Sequence, residues 1–189
     1  AVETPCLVQT VHGTPLSHCL HNPSAQPHCL RAAGDVGGEQ RGVEVVRDEW
    51  QRFTLAGGQG DDLLDGGPGD DSLNGGRGRD VLVGGPGDDR FVWNPGDGSD
   101  AIRGDDGNDV MLFNGANVGE TLVLAANGTH ARFTRDIAAV EFDLEAVEEI
   151  RIAALGGEDR VTLGDLRGSG VSRVHVDLGD LTGAGDRQQ

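Results

Sequence analysis

The sequence of 189 residues has no lysine and no tyrosine, and only seven of its side chains are aromatic. A packed globular domain usually contains many more aromatic residues. The 15 arginines face 32 acidic residues, and the resulting net charge of −17 argues against binding to a phosphate backbone. The longest uninterrupted apolar run is Leu122–Ala126, whereas a membrane-spanning helix needs about 20 apolar residues. The chain must therefore be stabilised by something other than a large apolar core.

Glycine is abundant, and its distribution is uneven. Residues 57–112 hold 16 of the 32 glycines in 56 positions. The same segment has 13 acidic residues and four arginines, so it carries nine of the 17 net negative charges. The strict three-residue period of collagen is absent.

Residues 57–92 consist of four consecutive nonapeptides: GGQGDDLLD, GGPGDDSLN, GGRGRDVLV and GGPGDDRFV. Trp93 and Asn94 interrupt the period, which resumes with the looser copies PGDGSDAIR and GDDGNDVML. The sixth position of each copy is aspartate, at Asp62, Asp71, Asp80, Asp89, Asp100 and Asp109. The eighth position is a large apolar residue, at Leu64, Leu73, Leu82, Phe91, Ile102 and Met111. Six copies in phase indicate a repeat architecture.

Each nonapeptide predicts a turn followed by a short strand. Glycine-rich runs are poor helix formers and accept the positive φ angles of tight turns. Because side chains alternate between the faces of a strand, only the eighth position points inward. Two nonapeptides then make one coil of 18 residues, and stacking the coils pairs Leu64 with Leu82 on one sheet and Leu73 with Phe91 on the other. Each half-coil then buries only one apolar side chain. This burial cannot offset the conformational entropy lost on ordering nine residues, which costs roughly 1–2 kcal/mol per residue.

Stacked turns bring carboxylates of neighbouring coils together, which predicts a bound cation. Ca²⁺ takes six to eight oxygen ligands from carboxylates and backbone carbonyls, whereas Mg²⁺ demands octahedral geometry and loses its water reluctantly. Calcium therefore fits best. Without it, the same composition is that of a disordered acidic linker.

The pattern GGxGxDxUx, where U is a large apolar residue, resembles the RTX or hemolysin-type calcium-binding nonapeptide repeat. The resemblance implies an all-β fold, a parallel β-roll or right-handed β-solenoid, and secretion from a bacterium. It also implies that each Ca²⁺ lies between turns two repeats apart. The first site would use Gly58, Gly60 and Asp62 with Gly75, Arg77 and Asp80, and the second Gly67, Gly69 and Asp71 with Gly84, Pro86 and Asp89. Two further sites would cross the interruption: Gly76, Gly78 and Asp80 with Pro95, Asp97 and Asp100, and Gly85, Gly87 and Asp89 with Gly104, Asp106 and Asp109.

The nine-residue period continues weakly beyond residue 112, at Leu124, Phe133, Phe142, Ile152 and Val161. Two residues before the first four stand Leu122, Ala131, Val140 and Ile150, where the repeats have aspartate. Residues 113–189 are therefore predicted to be degenerate β-helical coils that stack without metal, followed by a tail. The strand-like segments are Glu120–Ala125, His130–Arg135, Val140–Leu144, Glu148–Ala153 and Val171–Leu178. A helix over Leu144–Arg151 is an alternative, because apolar residues recur there every three positions.

Residues 1–42 differ in composition and contain all three cysteines and four of the six histidines: Cys6, Cys19, Cys29, His12, His18, His21 and His28. Their spacings match no zinc site, and an odd number of cysteines leaves one thiol outside any disulfide. Four prolines favour a poorly ordered segment. Residues 43–56 are predicted to form a lead-in strand or cap to the calcium-binding β-roll of 57–112.

No catalytic signature occurs in the sequence. The repeats therefore predict a non-enzymatic, calcium-dependent structural module, and the resemblance implies that it belongs to a secreted, extracellular bacterial protein. Its expected partners are calcium ions and a cell-surface or secretion-apparatus component, with no nucleic acid and no membrane span. The alternative is a fragment of an exported RTX enzyme or adhesin whose active or binding domain lies outside this chain. A hydrolytic site on the C-terminal half would have to use Asp136, Glu141 and Asp143.

Overall fold

The computed structural model describes residues 52–179 and the backbone of three earlier strands, Cys6–Leu7, Leu30–Ala32 and Arg41–Val45. The expectations for Cys19, Cys29 and the four histidines before residue 42 fall outside the described residues. So does most of the predicted N-terminal segment 1–42. The predicted lead-in of 43–56 overlaps the end of the strand Arg41–Val45 and the start of Phe53–Gln59.

The described residues form sixteen β-strands and one short 3₁₀ turn, Ile137–Ala139. In chain order the strands are β1 (Cys6–Leu7), β2 (Leu30–Ala32), β3 (Arg41–Val45), β4 (Phe53–Gln59), β5 (Asp62–Asp65), β6 (Ser72–Arg77), β7 (Val81–Val83), β8 (Arg90–Trp93), β9 (Ala101–Arg103), β10 (Val110–Asn114), β11 (Thr121–Asn127), β12 (His130–Arg135), β13 (Val140–Glu145), β14 (Glu149–Ala153), β15 (Arg160–Leu163) and β16 (Arg173–Asp177). The predicted all-β class is therefore confirmed.

The strands build two sheets, and through the repeats the chain alternates between them. The first sheet has the order β1-β4-β6-β8-β10-β14-β16, and the second has the order β15-β11-β12-β13-β9-β7-β5-β3-β2. All pairs from β4 to β10 are parallel. This is the parallel β-roll that the nonapeptides predict.

The eighth-position side chains form the core between the sheets. Leu64 pairs with Leu82 and Leu82 with Ile102 in the second sheet, as the 18-residue coil predicts. Leu73 pairs with Phe91 and Phe91 with Met111 in the first sheet. All six eighth-position side chains are buried. The apolar core is thus one residue deep per half-coil along the repeats.

Four aromatic rings pack together in the core, from the Trp93–Asn94 insertion onward. Trp93 stacks on Phe113 with ring centroids 4.6 Å apart, and Phe133 stacks on Phe142 at 5.6 Å. The two pairs meet edge-on, with Phe113 and Phe133 5.0 Å apart. Most of the few aromatic side chains are therefore concentrated at one end of the roll.

The region after residue 112 departs from simple coils. Strands β14, β15 and β16 pair in parallel with the preceding strands β10, β11 and β14, but β12 runs antiparallel to both β11 and β13. Leu124 lies opposite Phe133, and Phe133 opposite Phe142, so their nine-residue spacing comes from two hairpins. The Gly128–Thr129 turn explains the first hairpin, since Gly128 has a φ of 72° and glycine is favoured at the start of a type II′ turn.

The alternative helix over Leu144–Arg151 is wrong. Leu144 lies in β13, and Arg151 lies in β14. Three residues separate these strands, too few to add a helix between them. The apolar spacing instead places Leu144, Val147 and Ile150 in the buried core.

Candidate metal sites in the stacked turns

The sixth-position aspartates form two rows of buried carboxylates, one along each edge of the roll. All six are buried. In each row, one oxygen of a carboxylate (Oδ1) accepts a hydrogen bond from the backbone N–H of the residue one coil earlier. These bonds run from Phe53 to Asp71 (2.7 Å), Asp62 to Asp80 (2.8 Å), Asp71 to Asp89 (2.7 Å), Asp80 to Asp100 (3.1 Å) and Asp89 to Asp109 (2.8 Å).

The Trp93–Asn94 insertion leaves this register intact. The hydrogen-bonded partners are 18 residues apart in the first three bonds and 20 apart in the last two. The Trp93 indole is buried and donates to the carbonyl of Gly98 (2.9 Å), while Asp97 accepts from the backbone N–H of Asn94 (2.8 Å). The two extra residues are absorbed at the end of β8 and in the following turn.

The second carboxylate oxygen is where a cation is needed. In Asp80, Asp89 and Asp109, Oδ2 is buried and has no hydrogen-bond partner within the described residues. Burial raises the pKa of Asp80, and it raises the pKa of Asp89, Asp100 and Asp109 to about 7, with neighbouring carboxylates adding to the shift. A buried charge that lacks a partner is strongly unfavourable. The turns are thus short of positive charge where these oxygens lie.

The glycine that begins five of the six copies leaves space beside the second carboxylate oxygen of the same copy. A methyl group on Gly57 would lie 2.5 Å from the carbonyl oxygen of Gly75 and 2.7 Å from Asp62 Oδ2. A methyl group on Gly66 would lie 2.5 Å from the carbonyl oxygen of Gly84 and 2.9 Å from Asp71 Oδ2. A carbonyl of one coil and a carboxylate of the coil before it therefore converge on one glycine.

The same convergence continues across the insertion. A methyl group on Gly84 would contact Asp89 Oδ2 and lie 2.8 Å from the carbonyl oxygen of Gly104. A methyl group on Gly75 would likewise contact Asp80 Oδ2. The structure thus brings together the aspartates and the first-position carbonyls that the sequence assigns to the first, second and fourth sites.

The other predicted carbonyl ligands lie within the stacked turns but are in contact with their neighbours. The carbonyls of Arg77 and Pro86 accept hydrogen bonds from Gly60 and Gly69, both at 2.8 Å. The second- and fourth-position carbonyls face the glycines one coil further on: Gly58 faces Gly76, Gly60 faces Gly78, Gly67 faces Gly85 and Gly69 faces Gly87. Their role as calcium ligands stays a prediction.

At the third and fourth predicted sites, several carbonyls also accept hydrogen bonds. Gly76 accepts from Gly98 (2.7 Å), and Gly78 accepts from Ser99 (3.1 Å). In the fourth site, Gly104 accepts from Gly85 (3.1 Å), and Asp106 accepts from Gly87 (2.8 Å). Each carbonyl oxygen retains a second lone pair for a cation.

The donor set suits a hard cation. No group of three or more histidine, cysteine, aspartate or glutamate side chains converges anywhere in the described ranges. A site in these turns must therefore combine carboxylates with backbone carbonyls, and Ca²⁺ accepts that mixture of oxygen ligands. The buried oxygens and the space beside the glycines fit such an ion.

Two acidic residues of this pattern escaped the sequence analysis. Glu120 occupies a sixth position in GANVGETLV, because Gly115, Glu120 and Leu122 correspond to the first, sixth and eighth positions. A methyl group on Gly115 would lie 2.5 Å from Glu120 Oε2 and 3.0 Å from the carbonyl oxygen of Ala153. Leu122 therefore takes the apolar position rather than the aspartate position predicted for it. A two-residue shift, like that at Trp93–Asn94, was the available signal.

Glu148 is the second. Its Oε2 accepts from the backbone N–H of Asp109 (2.8 Å), so it continues the row of Asp71, Asp89 and Asp109. No motif precedes it, because Gly-Gly is absent and the turn has only three residues. Spacing alone could not have found it, since Asp109 and Glu148 are 39 residues apart.

The three carboxylates considered for hydrolysis are engaged separately with other groups. Asp136 accepts from the backbone N–H groups of Thr121 and Ile137, both at 2.8 Å. Glu141 pairs with Arg132, and Asp143 lies 3.0 Å from His130 Nδ1.

These features are those of a parallel β-roll with candidate metal sites in its turns. Residues 54–91 and 96–117 match the family model of the RTX calcium-binding nonapeptide repeat in four copies. These two segments are therefore similar to RTX repeats, a family whose repeats bind Ca²⁺ and are structural rather than catalytic. No curated protein and no solved structure matches the chain. Among the described residues, no helix has the length and apolar character needed to cross a membrane.

Proposed function

We propose that the chain is a calcium-dependent folding module of an exported bacterial protein. The observation that carries the proposal is the set of buried, unpartnered carboxylate oxygens on Asp80, Asp89 and Asp109, which lie in turns of calcium-binding repeats. In a module that folded without an ion, the burial of these charged oxygens would be unfavourable and would have no compensation.

The proposed ligands are those carried over from the repeat pattern. Each ion would contact two aspartates of one row, with carbonyls from both turns. The aspartates of the four sites would pair as Asp62 with Asp80, Asp71 with Asp89, Asp80 with Asp100, and Asp89 with Asp109. The backbone hydrogen bond between the members of each pair supports this grouping. It fixes their spacing and leaves Oδ2 of Asp80, Asp89 and Asp109 for the ion.

Calcium would couple folding to its own concentration. Without it, stacking the turns buries carboxylates that repel one another, and the thin core does little to offset this. An ion that binds only the folded chain adds about 1.4 kcal/mol per site at ten times its dissociation constant. The chain would remain unstructured at the low free calcium of the cell interior and fold outside, where calcium is abundant.

Folding that depends on external calcium suits a secreted, extracellular protein, and we propose that the chain has no catalytic activity of its own. Its partners would be calcium ions and a component of the cell surface or secretion apparatus. A parent protein with an enzyme or adhesin domain elsewhere is the alternative. The repeats would then help that domain fold after export.

A calcium titration of the purified chain tests the proposal. Far-UV circular dichroism should change from a disordered spectrum to a β-sheet spectrum as calcium rises to several millimolar. Magnesium at the same concentrations is the control and should produce little β-structure. A chain that gains no β-structure from calcium, or gains as much from magnesium, would contradict calcium-dependent folding.

A further inference from the structure

The turn between β13 and β14 crosses from the second sheet to the first in three residues, Ala146–Glu148. The preceding crossing in the same direction, from β9 to β10, takes six residues, Gly104–Asp109. The shorter turn lies directly after this one in the stack, since β13 pairs with β9 and β14 with β10. The shorter turn lies beyond the residues that match the repeat model.

Despite its length, this turn reproduces the hydrogen bonds of a repeat. The backbone N–H of Gly104 donates to the carbonyl of Glu145 (3.0 Å), just as Gly84 donates to Arg103 (2.8 Å) one coil earlier. The backbone N–H of Asp109 donates to Glu148 Oε2 at 2.8 Å, the distance from the N–H of Asp89 to Asp109 Oδ1. Ala146 thus replaces the first residue of a repeat, and Glu148 replaces its aspartate.

The oxygens of Asp109 and Ala146 converge beside Gly104, as the corresponding oxygens do in the repeats. Asp109 is fully buried, and its Oδ2 has no hydrogen-bond partner among the residues described. A methyl group on Gly104 would contact both this oxygen and the carbonyl oxygen of Ala146. The Asp109 carboxylate oxygen and the Ala146 carbonyl oxygen therefore face the same space. The Glu148 carboxylate lies next to Asp109, because it accepts the hydrogen bond from the Asp109 backbone N–H.

We infer a fifth calcium site, formed by the Asp109 carboxylate, the Ala146 carbonyl and the Glu148 carboxylate. The extra methylene of glutamate compensates for a turn three residues shorter than that of a repeat. The inference rests on the proposed calcium binding of the roll and extends it to a turn without the repeat motif. The Glu148 carbonyl accepts from the backbone N–H groups of Ser172 (2.9 Å) and Arg173 (3.0 Å). An ion here would therefore tie the repeats to β14 and, through Glu148, to the start of β16.

The equivalent position on the other edge of the roll already holds a positive charge. Glu120 and the carbonyl of Ala153 converge on Gly115, as described above. The buried guanidinium of Arg135 pairs with the Glu120 carboxylate. At Glu148, no ion pair with an arginine or histidine occurs within the described residues. The Glu120 carboxylate is thus neutralised by a side chain of the protein, whereas the Glu148 carboxylate has no such partner in the described ranges.

The test is a calcium count on the full chain, with Glu148→Gln compared with Glu145→Gln. Both variants remove one negative charge, but Glu145 is the last residue of β13, and its side chain is exposed and belongs to no proposed site. Equilibrium dialysis at saturating calcium should give Glu148→Gln one ion fewer than the wild type, and Glu145→Gln the wild-type number. Equal counts in the two variants would overturn the fifth site while leaving the proposed function intact.

A second variant covers the case in which Glu148→Gln fails to fold. Glu148→Asp retains the charge but shortens the side chain by the methylene that the short turn requires, so it should also bind one ion fewer. If neither variant binds any calcium while Glu145→Gln behaves as wild type, the inference is wrong, because the four repeat sites lie outside this turn. A wild-type chain that binds no calcium would instead refute the proposed function itself.

Discussion

The guanidinium of Arg135 pairs with the carboxylate of Glu120, and both side chains are buried, with 5% and 0% of their surface exposed. Arg135 also lies over the Trp93 ring, 5.2 Å from its centroid, and donates to the carbonyl of Ile137 (3.3 Å). Glu120 stands at the sixth position of a degenerate repeat. Arginine therefore provides, within the chain, the positive charge that the preceding turns lack.

Replacing this arginine should destabilise the roll even when calcium is saturating. Arg135→Met leaves the buried Glu120 carboxylate without its partner, and breaking a buried pair in this way costs about 3–5 kcal/mol. The matched control is Arg132→Met on the same strand, because Arg132 and Glu141 form an exposed pair, and such pairs contribute little to stability. Urea denaturation at saturating calcium measures both. Similar losses in the two variants would show that the buried pair contributes little.

Protons should compete with calcium for the turns. Burial raises the pKa of Asp89, Asp100 and Asp109 from 3.8 to about 7 in the metal-free fold. At these three carboxyl groups the metal-free fold therefore binds protons more tightly than the unfolded chain does. Their contribution to its stability is fully present below about pH 4 and is lost as the pH rises through 7. Calcium needs the ionised carboxylates, so its affinity changes in the opposite sense.

The measurement is a calcium titration followed by circular dichroism at pH 8 and at pH 5.5. The calcium midpoint should be higher at pH 5.5, where protons occupy the buried carboxylates. The calcium-free chain should show more β-structure at pH 4 than at pH 8. A midpoint that does not change with pH would mean that these carboxylates are not the calcium ligands.

The repeats predicted the fold of residues 57–112 because each nonapeptide has the same pattern of residue types and therefore favours the same turn and strand. Glycine pairs specify the turns, and the eighth position specifies the inward side. Together these give the register, including the pairing of Leu64 with Leu82. The buried aspartates followed from the same phase.

The sequence was less informative where the period had another cause. Leu124, Phe133 and Phe142 are nine residues apart because two hairpins place them opposite one another. A period in the sequence does not distinguish a hairpin from a coil when the glycine turns are missing. Glu148 was missed for a different reason, since its position depends on a hydrogen bond to a residue 39 positions earlier.

Replacing an aspartate that belongs to two proposed calcium sites should weaken calcium binding more than replacing one that belongs to a single site. Asp80 accepts from the amide of Asp62, and its own amide donates to Asp100, so it belongs to the first and third proposed sites. Asp80→Asn should therefore raise the calcium midpoint more than Asp62→Asn, which touches only the first. Asparagine keeps an oxygen for the backbone hydrogen bond, so the comparison isolates the charge. Equal shifts in the two titrations would contradict the assignment of Asp80 to two sites.

Filling the space beside a first-position glycine should remove a site without straining the backbone. Gly84 is not among the residues with positive φ, so alanine is compatible with its backbone conformation. The added methyl group would nevertheless contact Asp89 Oδ2 and lie 2.8 Å from the carbonyl oxygen of Gly104, where the fourth ion is proposed. Gly84→Ala should therefore bind one calcium fewer and lose about 1–3 kcal/mol at saturating calcium, because the added group overpacks the turn.

The matched control is Gly156→Ala, which also lacks a positive φ. Its methyl group would meet only the Asn117 side chain, at 3.2 Å, and that side chain can move away. The control should keep the wild-type calcium count and change stability by no more than about 0.5 kcal/mol. Isothermal titration calorimetry gives the counts, and urea denaturation gives the stabilities. If Gly84→Ala retained every ion, the space beside the glycine would not be where calcium binds.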